Sequence, residues 1–71
     1  MEVDRLMSSP PNHDPWESFI VKDGAKVYQA TYHHNRNVWY VSLMTRRGGV
    51  NPHGRVGTKI VDACRELRRA V

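Results

Sequence analysis

The sequence lacks several features on which small domains and enzymes commonly depend. It has a single cysteine, Cys64, so a disulfide within the chain is excluded and a reducing, intracellular compartment is expected. No apolar run approaches the roughly 20 residues of a membrane span. The first 15 residues also lack the basic and then apolar order of a secretion signal. With 71 residues the chain forms one domain with a thin core, which leaves little room for a dry catalytic pocket.

Catalytic and metal-binding patterns are also missing. The possible nitrogen and sulfur ligands are His13, His33, His34, His53 and Cys64, and no two of them have C-x-x-C or H-x-x-x-H spacing. Cys64 falls on the apolar side of a predicted helix, which opposes a reactive thiolate. No pair of carboxylates is placed for acid–base chemistry. The sequence therefore predicts a protein that is not an enzyme and that uses no metal, cofactor or small-molecule substrate.

The charge is strongly basic. Eleven Lys and Arg residues oppose seven Asp and Glu residues, which gives a formal net charge of +4 and a pI of about 9.7. A basic balance favours a polyanionic partner such as nucleic acid, although it is also found on ordinary protein surfaces.

Strand-forming residues are concentrated in the middle of the chain. Residues 1–15 are rich in Ser, Pro, Asn and Asp, which predicts a flexible N-terminal tail. Residues 16–21, 26–34 and 38–44 are rich in aromatic and β-branched side chains, which is typical of strands. We therefore predict a single domain, residues 16–71, that begins with a three-stranded antiparallel meander.

Turn and cap signals separate these strands and introduce a helix. Asp23-Gly24 predicts the first hairpin turn, and the asparagines of residues 35–37 predict the second. Residues 46–57 predict a mobile loop, or a loop with one short strand near residues 55–56. Thr58 is predicted to be the N-cap of a C-terminal helix. The apolar face of that helix comprises Ile60, Ala63, Cys64, Leu67, Ala70 and Val71. The predicted fold is α+β, with the meander packed against this helix.

The second turn also predicts which face of the sheet is open. Closing the turn over residues 35–37 places His34 opposite Val38 and Tyr32 opposite Tyr40. The core face then comprises Val27, Thr31, Trp39, Val41 and Leu43. The outward face comprises Tyr28, Tyr32, His34, Tyr40 and Met44.

Residues 28–43 resemble the sheet of AP2-type DNA-binding domains. Those domains have a Tyr-x-Gly-Val strand, a turn and a Trp-x-Ala-x-Ile strand, and the spacing from Tyr28 to Trp39 agrees with that order. The sheet is also similar to the arm-type DNA-binding domain of tyrosine integrases, in which one helix follows three strands. Both resemblances imply that an exposed sheet face enters the major groove of DNA. The AP2 resemblance implies DNA contacts by Tyr32, His34 and Arg36, with Ser42 on the next strand.

The first functional hypothesis is binding of duplex DNA by the open sheet face and the adjacent arginine-rich loop. The predicted contacts to phosphates or bases are made by Arg36, Arg46, Arg47, Arg55 and Lys59, and the surface is shaped by Tyr32, His34 and Tyr40. A second hypothesis is a phage-type inhibitor or regulator that binds a larger host protein through the same aromatic face. A third is double-stranded RNA binding, because the Gly-Thr-Lys entry into the helix resembles the last helix of double-stranded-RNA-binding domains. Only phosphate contacts make binding steeply dependent on salt.

Overall fold

An antiparallel sheet of five strands and one helix make up the structure, a computed structural model that describes residues 1–70. The strands lie in the sheet in chain order, so each connection joins neighbours. The α+β class, the meander and the C-terminal helix are confirmed, but the sheet has five strands where three were predicted. The elements are β1 (Glu2–Ser8), β2 (Trp16–Asp23), β3 (Lys26–His33), β4 (Val38–Leu43), β5 (Gly48–Val50) and α1 (Arg55–Arg69).

The hairpin between β2 and β3 turns through Gly24 and Ala25. Asp23 pairs with Lys26, so the turn contains two residues and lies one position later than the predicted Asp-Gly centre. Gly24 has φ of 62°, and positive φ at the first central residue alone is the pattern of a type II′ turn. This turn places Val21 opposite Tyr28, so both side chains lie on the same face of the sheet.

The predicted register between β3 and β4 is wrong by one residue. His33, and not His34, lies opposite Val38, and Tyr32 lies opposite Trp39. The connecting loop comprises residues 34–37 and is one residue longer than predicted. Its last residue, Asn37, is left-handed with φ of 52°, a conformation that asparagine tolerates. A shift of one residue exchanges the two faces of a strand. The inner face of β4 was therefore predicted correctly, whereas that of β3 was inverted.

The N-terminal segment is not the flexible tail that was predicted. Residues 2–8 form β1, which pairs antiparallel with β2 and includes a register shift between Arg5 and Met7. The connection to β2 is closed by Ser9, whose N–H donates to the carbonyl of Trp16 at 2.9 Å and whose hydroxyl accepts the N–H of Trp16 at 3.0 Å. β1 covers the edge that β2 would otherwise expose, and this pairing outweighs the poor strand propensity of the segment.

The glycine-rich segment after β4 contains both a strand and the start of the helix. The short strand is β5, not residues 55–56, and it pairs only with Val41, Ser42 and Leu43. The helix begins at Arg55 after Gly54, which is extended and provides no side-chain cap. Thr58, the predicted N-cap, therefore lies within the first turn.

The helix starts early because its first turn packs closely against the preceding loop. Gly57 is buried in α1, and a Cβ at this position would lie 1.9 Å from the carbonyl oxygen of Asn51 and 2.7 Å from Cα of Pro52. The hydroxyl of Thr58 donates to the carbonyl of Pro52 at 3.5 Å. Only glycine allows this approach, so the loop between β5 and α1 is fixed against the helix.

The core lies between α1 and one face of the sheet. Phe19, Ala30, Ile60 and Cys64 are fully buried there, and Val61 joins them although the sequence analysis did not place it on the apolar face. The predicted core position Ala70 is exposed, and Val71 lies outside the described residues. No helix among residues 1–70 has the length and apolar character needed to cross a membrane.

Candidate nucleic-acid interface

Glu17 gathers three basic side chains on the helix-covered side of the sheet. Its Oε1 accepts hydrogen bonds from Nη1 of Arg5 at 3.2 Å and from Nε of Arg68 at 3.1 Å. Its Oε2 accepts a hydrogen bond from Nε2 of His34 at 2.7 Å. The Glu17 side chain is only 13% exposed, so these contacts are partly shielded from water. His34, predicted to lie on an open face, is instead fixed at the end of β3 beside α1.

Tyr32 is held in the same region by stacked rings and a guanidinium group. Its ring centroid lies 4.9 Å from those of both Trp39 and His34, and the guanidinium carbon of Arg68 lies 4.6 Å from it. Its hydroxyl donates to Oδ1 of Asn37 at 2.7 Å. Tyr32 therefore packs between β4 and the helix. Tyr32 was predicted to face outward towards DNA because the predicted register inverted the two faces of β3.

Tyr40 is the one predicted aromatic contact that lies on the open face, which α1 does not cover. It is 51% exposed, and its ring packs edge-on against His33 at 5.2 Å. The centre of this face is polar, because the hydroxyls of Ser18 and Thr31 share a hydrogen bond of 2.9 Å. Among the described strands β1 to β4, Lys22 is the only Lys or Arg on this face. These strands therefore place no arginine, the residue that most often reads guanine, on the open face.

Four basic residues lie at the end of the sheet formed by two neighbouring turns, and we call this region the basic end. The N–H of Met44 donates to the carbonyl of Val27 at 2.8 Å, which brings the turn after β4 beside the turn between β2 and β3. The same cavity is lined by residues of both turns, including Lys26 and Arg46. The four members are all exposed and are Lys22, Lys26, Arg46 and Arg47.

The basic end carries four cations, none of which forms an ion pair within residues 1–70. Two carboxylates lie close by, because Glu2 is opposite Lys22 in the sheet and Asp23, whose pKa Lys26 helps to lower, is opposite Lys26. Arg47 has φ of 52° and turns the chain into β5, so its position follows from the turn itself. Four cations against two carboxylates leave this end with a net positive charge, which attracts anions.

The remaining predicted cations are dispersed. Arg36 lies in the loop between β3 and β4, at the opposite end of the sheet, with Nη2 3.9 Å from Oδ2 of Asp14. Arg55 is the exposed first residue of α1. Lys59 donates to Oδ2 of Asp23 at 3.0 Å, and this hydrogen bond is the main reason that the pKa of Asp23 is lowered. Of the eight predicted site residues, the structure therefore brings together Arg46 with Arg47 at one end of the sheet and Tyr32 with His34 at the other, but not all eight.

Sequence reasoning missed Lys22 and Lys26 because it weighed them only as flanks of a turn. The sequence could have indicated that Lys22 and Lys26 lie close together, because a two-residue hairpin turn brings the residues that flank it to the same end of a sheet. Sequence reasoning also proposed no ligand contact for Arg65, Arg68 and Arg69, which line a groove beside Trp39.

Cys64 is fully buried in the core. Burial raises the pKa of the Cys64 thiol to about 12, so the nucleophilic thiolate is strongly disfavoured. Within residues 1–70, no three His, Cys, Asp or Glu side chains are grouped so that they could hold a metal ion.

Comparison of the chain with protein-family models, with curated proteins and with solved structures found no match in any of the three. The resemblance to AP2-type and integrase arm-type domains therefore stays a prediction.

Proposed function

We propose that this protein is a non-enzymatic binder of duplex DNA that contacts the phosphate backbone through the basic end. The observation that carries the proposal is that two adjacent turns place Lys26 and Arg46 on one cavity, at the end of the sheet where Lys22 and Arg47 are also exposed, and that none of the four forms an ion pair within residues 1–70. Lysine and arginine contacts to phosphate supply most of the affinity in sequence-independent binding. This mode replaces the predicted insertion of the sheet face, which lacks arginines.

The turn between β4 and β5 suits a phosphate contact in geometry as well as charge. Arg46 and Arg47 are consecutive and exposed, and they project from a four-residue turn between Leu43 and Gly48. Lys26 lines the same cavity as Arg46, so the two turns present their cations at the same end of the sheet. Arg55 and Lys59 lie on the helix, and Lys59 is already neutralised by Asp23. We therefore assign the main contacts to the turns and not to the helix.

Salt dependence gives the sharpest test. Each neutralised phosphate contributes about −0.9 to the slope of log affinity against log salt, so four contacts predict a slope of about −3.6. Affinity should then fall about 150-fold between about 50 mM and about 200 mM salt. The measurement is fluorescence anisotropy of a labelled random-sequence duplex titrated with the protein.

A pair of double variants separates a local interface from general positive charge. Arg46→Ala/Arg47→Ala should reduce the slope by about two units, because two phosphate contacts are lost. Arg65→Ala/Arg69→Ala removes the same charge from the helix and should leave the slope nearly unchanged. If both variants weaken binding equally, net charge and not the basic end is responsible. If the wild-type protein shows no salt-sensitive binding at all, a protein partner becomes the better hypothesis.

A further inference from the structure

Half of β4 has no strand partner on its outer edge. β5 pairs with Val41, Ser42 and Leu43, and within residues 1–70 no strand continues this pairing along residues 38–40. The loop that follows β5 makes its backbone hydrogen bonds internally, as in the bond from the N–H of Gly54 to the carbonyl of Asn51 at 3.0 Å. An unpaired strand edge presents a row of N–H and C=O groups that another extended chain can join.

A groove lies beside this free edge and separates it from the helix. Val38 and Trp39 form the strand wall, Pro52 forms the loop wall, and Val61 and Arg65 form the helix wall, around a cavity of about 240 Å³. A second cavity of about 330 Å³ adjoins the first, and Asn37, Trp39 and Arg65 line both. Together the two cavities extend from the free edge of β4 past Tyr32 of β3 towards the last turn of α1.

Three arginines line the second part of the groove, and each of them also lies near a carboxylate, which for Arg68 is Glu17. Arg65, Arg68 and Arg69 line it together with the rings of Tyr32 and Trp39. The acidic neighbours of two of these arginines are weak competitors, because Asp62–Arg65 and Glu66–Arg69 are exposed i,i+3 pairs at 3.8 and 3.5 Å.

Arg68 is oriented for a ligand by Glu17 and Tyr32. Its Nε donates to Oε1 of Glu17, and its guanidinium carbon lies 4.6 Å from the centre of the Tyr32 ring. Its two Nη groups make no hydrogen bond within residues 1–70. A guanidinium held in this way keeps donors free in a fixed geometry, which suits a carboxylate.

We propose that this groove binds an extended acidic peptide, which adds to the free half of β4 as a strand and places its carboxylates against the three arginines. Strand addition combines main-chain hydrogen bonds with pockets for alternate side chains. The exposed side chain of Val38, with the small exposed parts of Trp39 and Val61, offers apolar contact to the uncharged side chains of such a peptide. A DNA duplex does not fit, because it has no main-chain ladder for β4 and is much wider than the space between a strand edge and a helix.

The experiment uses a labelled pool of acetylated heptapeptides with Glu at alternate positions and Val, Thr or Tyr between them. The proposal expects saturable binding, with amide chemical-shift changes in ¹H–¹⁵N spectra at residues 38–40 and at the Nε of Arg68. Methylation of alternate peptide nitrogens should weaken binding at least about tenfold, because each removed donor leaves a main-chain group unpaired. A pool with Lys in place of Glu should not bind.

Matched variants separate this site from the basic end. Arg65→Ala/Arg69→Ala should weaken peptide binding about tenfold, as expected for the loss of two charge-assisted contacts, whereas Arg46→Ala/Arg47→Ala should leave it unchanged. Absence of shifts at residues 38–40 up to millimolar peptide, or equal binding of the N-methylated pool, would overturn the proposal. It is also overturned if Arg65→Ala/Arg69→Ala reduces DNA affinity as much as Arg46→Ala/Arg47→Ala, because the arginines then belong to the nucleic-acid surface.

Discussion

Replacement of Gly57 by alanine should destabilise the protein, although the same change usually stabilises a helix. Within a helix, alanine usually stabilises the folded protein by about 1 kcal/mol relative to glycine. Here, however, the new Cβ would lie 1.9 Å from the carbonyl oxygen of Asn51 and 2.7 Å from Cα of Pro52. Both are backbone atoms, which cannot rotate away, so the overpacking cost should be at the upper end of its usual range, about 3 kcal/mol. The net loss in free energy of unfolding is about 2 kcal/mol.

The assay is thermal and urea unfolding followed by tryptophan fluorescence and circular dichroism. For a domain of this size, about 2 kcal/mol corresponds to a fall in Tm of about 8–16 °C. Gly49→Ala is the control, because a Cβ at Gly49 meets nothing within 4 Å, and its stability should change by less than about 0.5 kcal/mol. A Gly57→Ala variant as stable as the wild type would refute the close packing of the loop on α1.

Three further predictions follow from individual side chains. Glu17→Gln should lower the free energy of unfolding, measured with urea, by about 2 kcal/mol, because Glu17 accepts charge-assisted hydrogen bonds from three side chains. The control is Glu66→Gln, whose ion pair is exposed, and it should lower the free energy of unfolding by less than about 0.5 kcal/mol. The pKa of Asp23 is lowered chiefly by the Lys59 hydrogen bond, so this contact stabilises the fold above the unfolded pKa and is lost as pH falls through the folded value. NMR titration of Asp23 should show its pKa returning towards 3.8 in Lys59→Gln, and an unchanged value would contradict the assignment. Cys64 is fully buried with a pKa of about 12, so iodoacetamide should label it only as fast as the protein opens, and rapid labelling of the native state would show an exposed thiol.

The sequence was sufficient for the features that depend on local chemistry. Gly24 located the first hairpin to within one residue, and alternation along residues 38–44 identified Trp39 and Val41 as inward-facing. The apolar spacing around Ile60 and Cys64 identified the helix and its buried side. In each case the side chains concerned are neighbours in one element, so their pattern is visible without knowledge of the rest of the chain.

Features that depend on contacts between distant segments were not predictable in the same way. The face of β3 followed from a loop one residue longer than expected, and this alone moved Tyr32 from the predicted DNA surface to the helix side. β1 forms because β2 offers it an edge, which no property of residues 2–8 reveals. Of the candidate basic end, Arg46 and Arg47 were predicted from their loop, whereas Lys26 joins them only because two turns lie side by side.

The two proposed surfaces lie at opposite ends of β5. The chain turns at Arg46-Arg47 to enter β5, and it leaves the sheet after Val50 because Asn51 must reach Gly57 in α1. The turn at one end of β5 displays the two arginines of the basic end, and the departure at its other end leaves residues 38–40 without a partner. A longer β5 would pair with those residues and close the groove, but it would leave the arginine turn in place. The two surfaces should therefore respond independently to mutation, and loosening the contact at Gly57 should weaken peptide binding before it affects DNA binding.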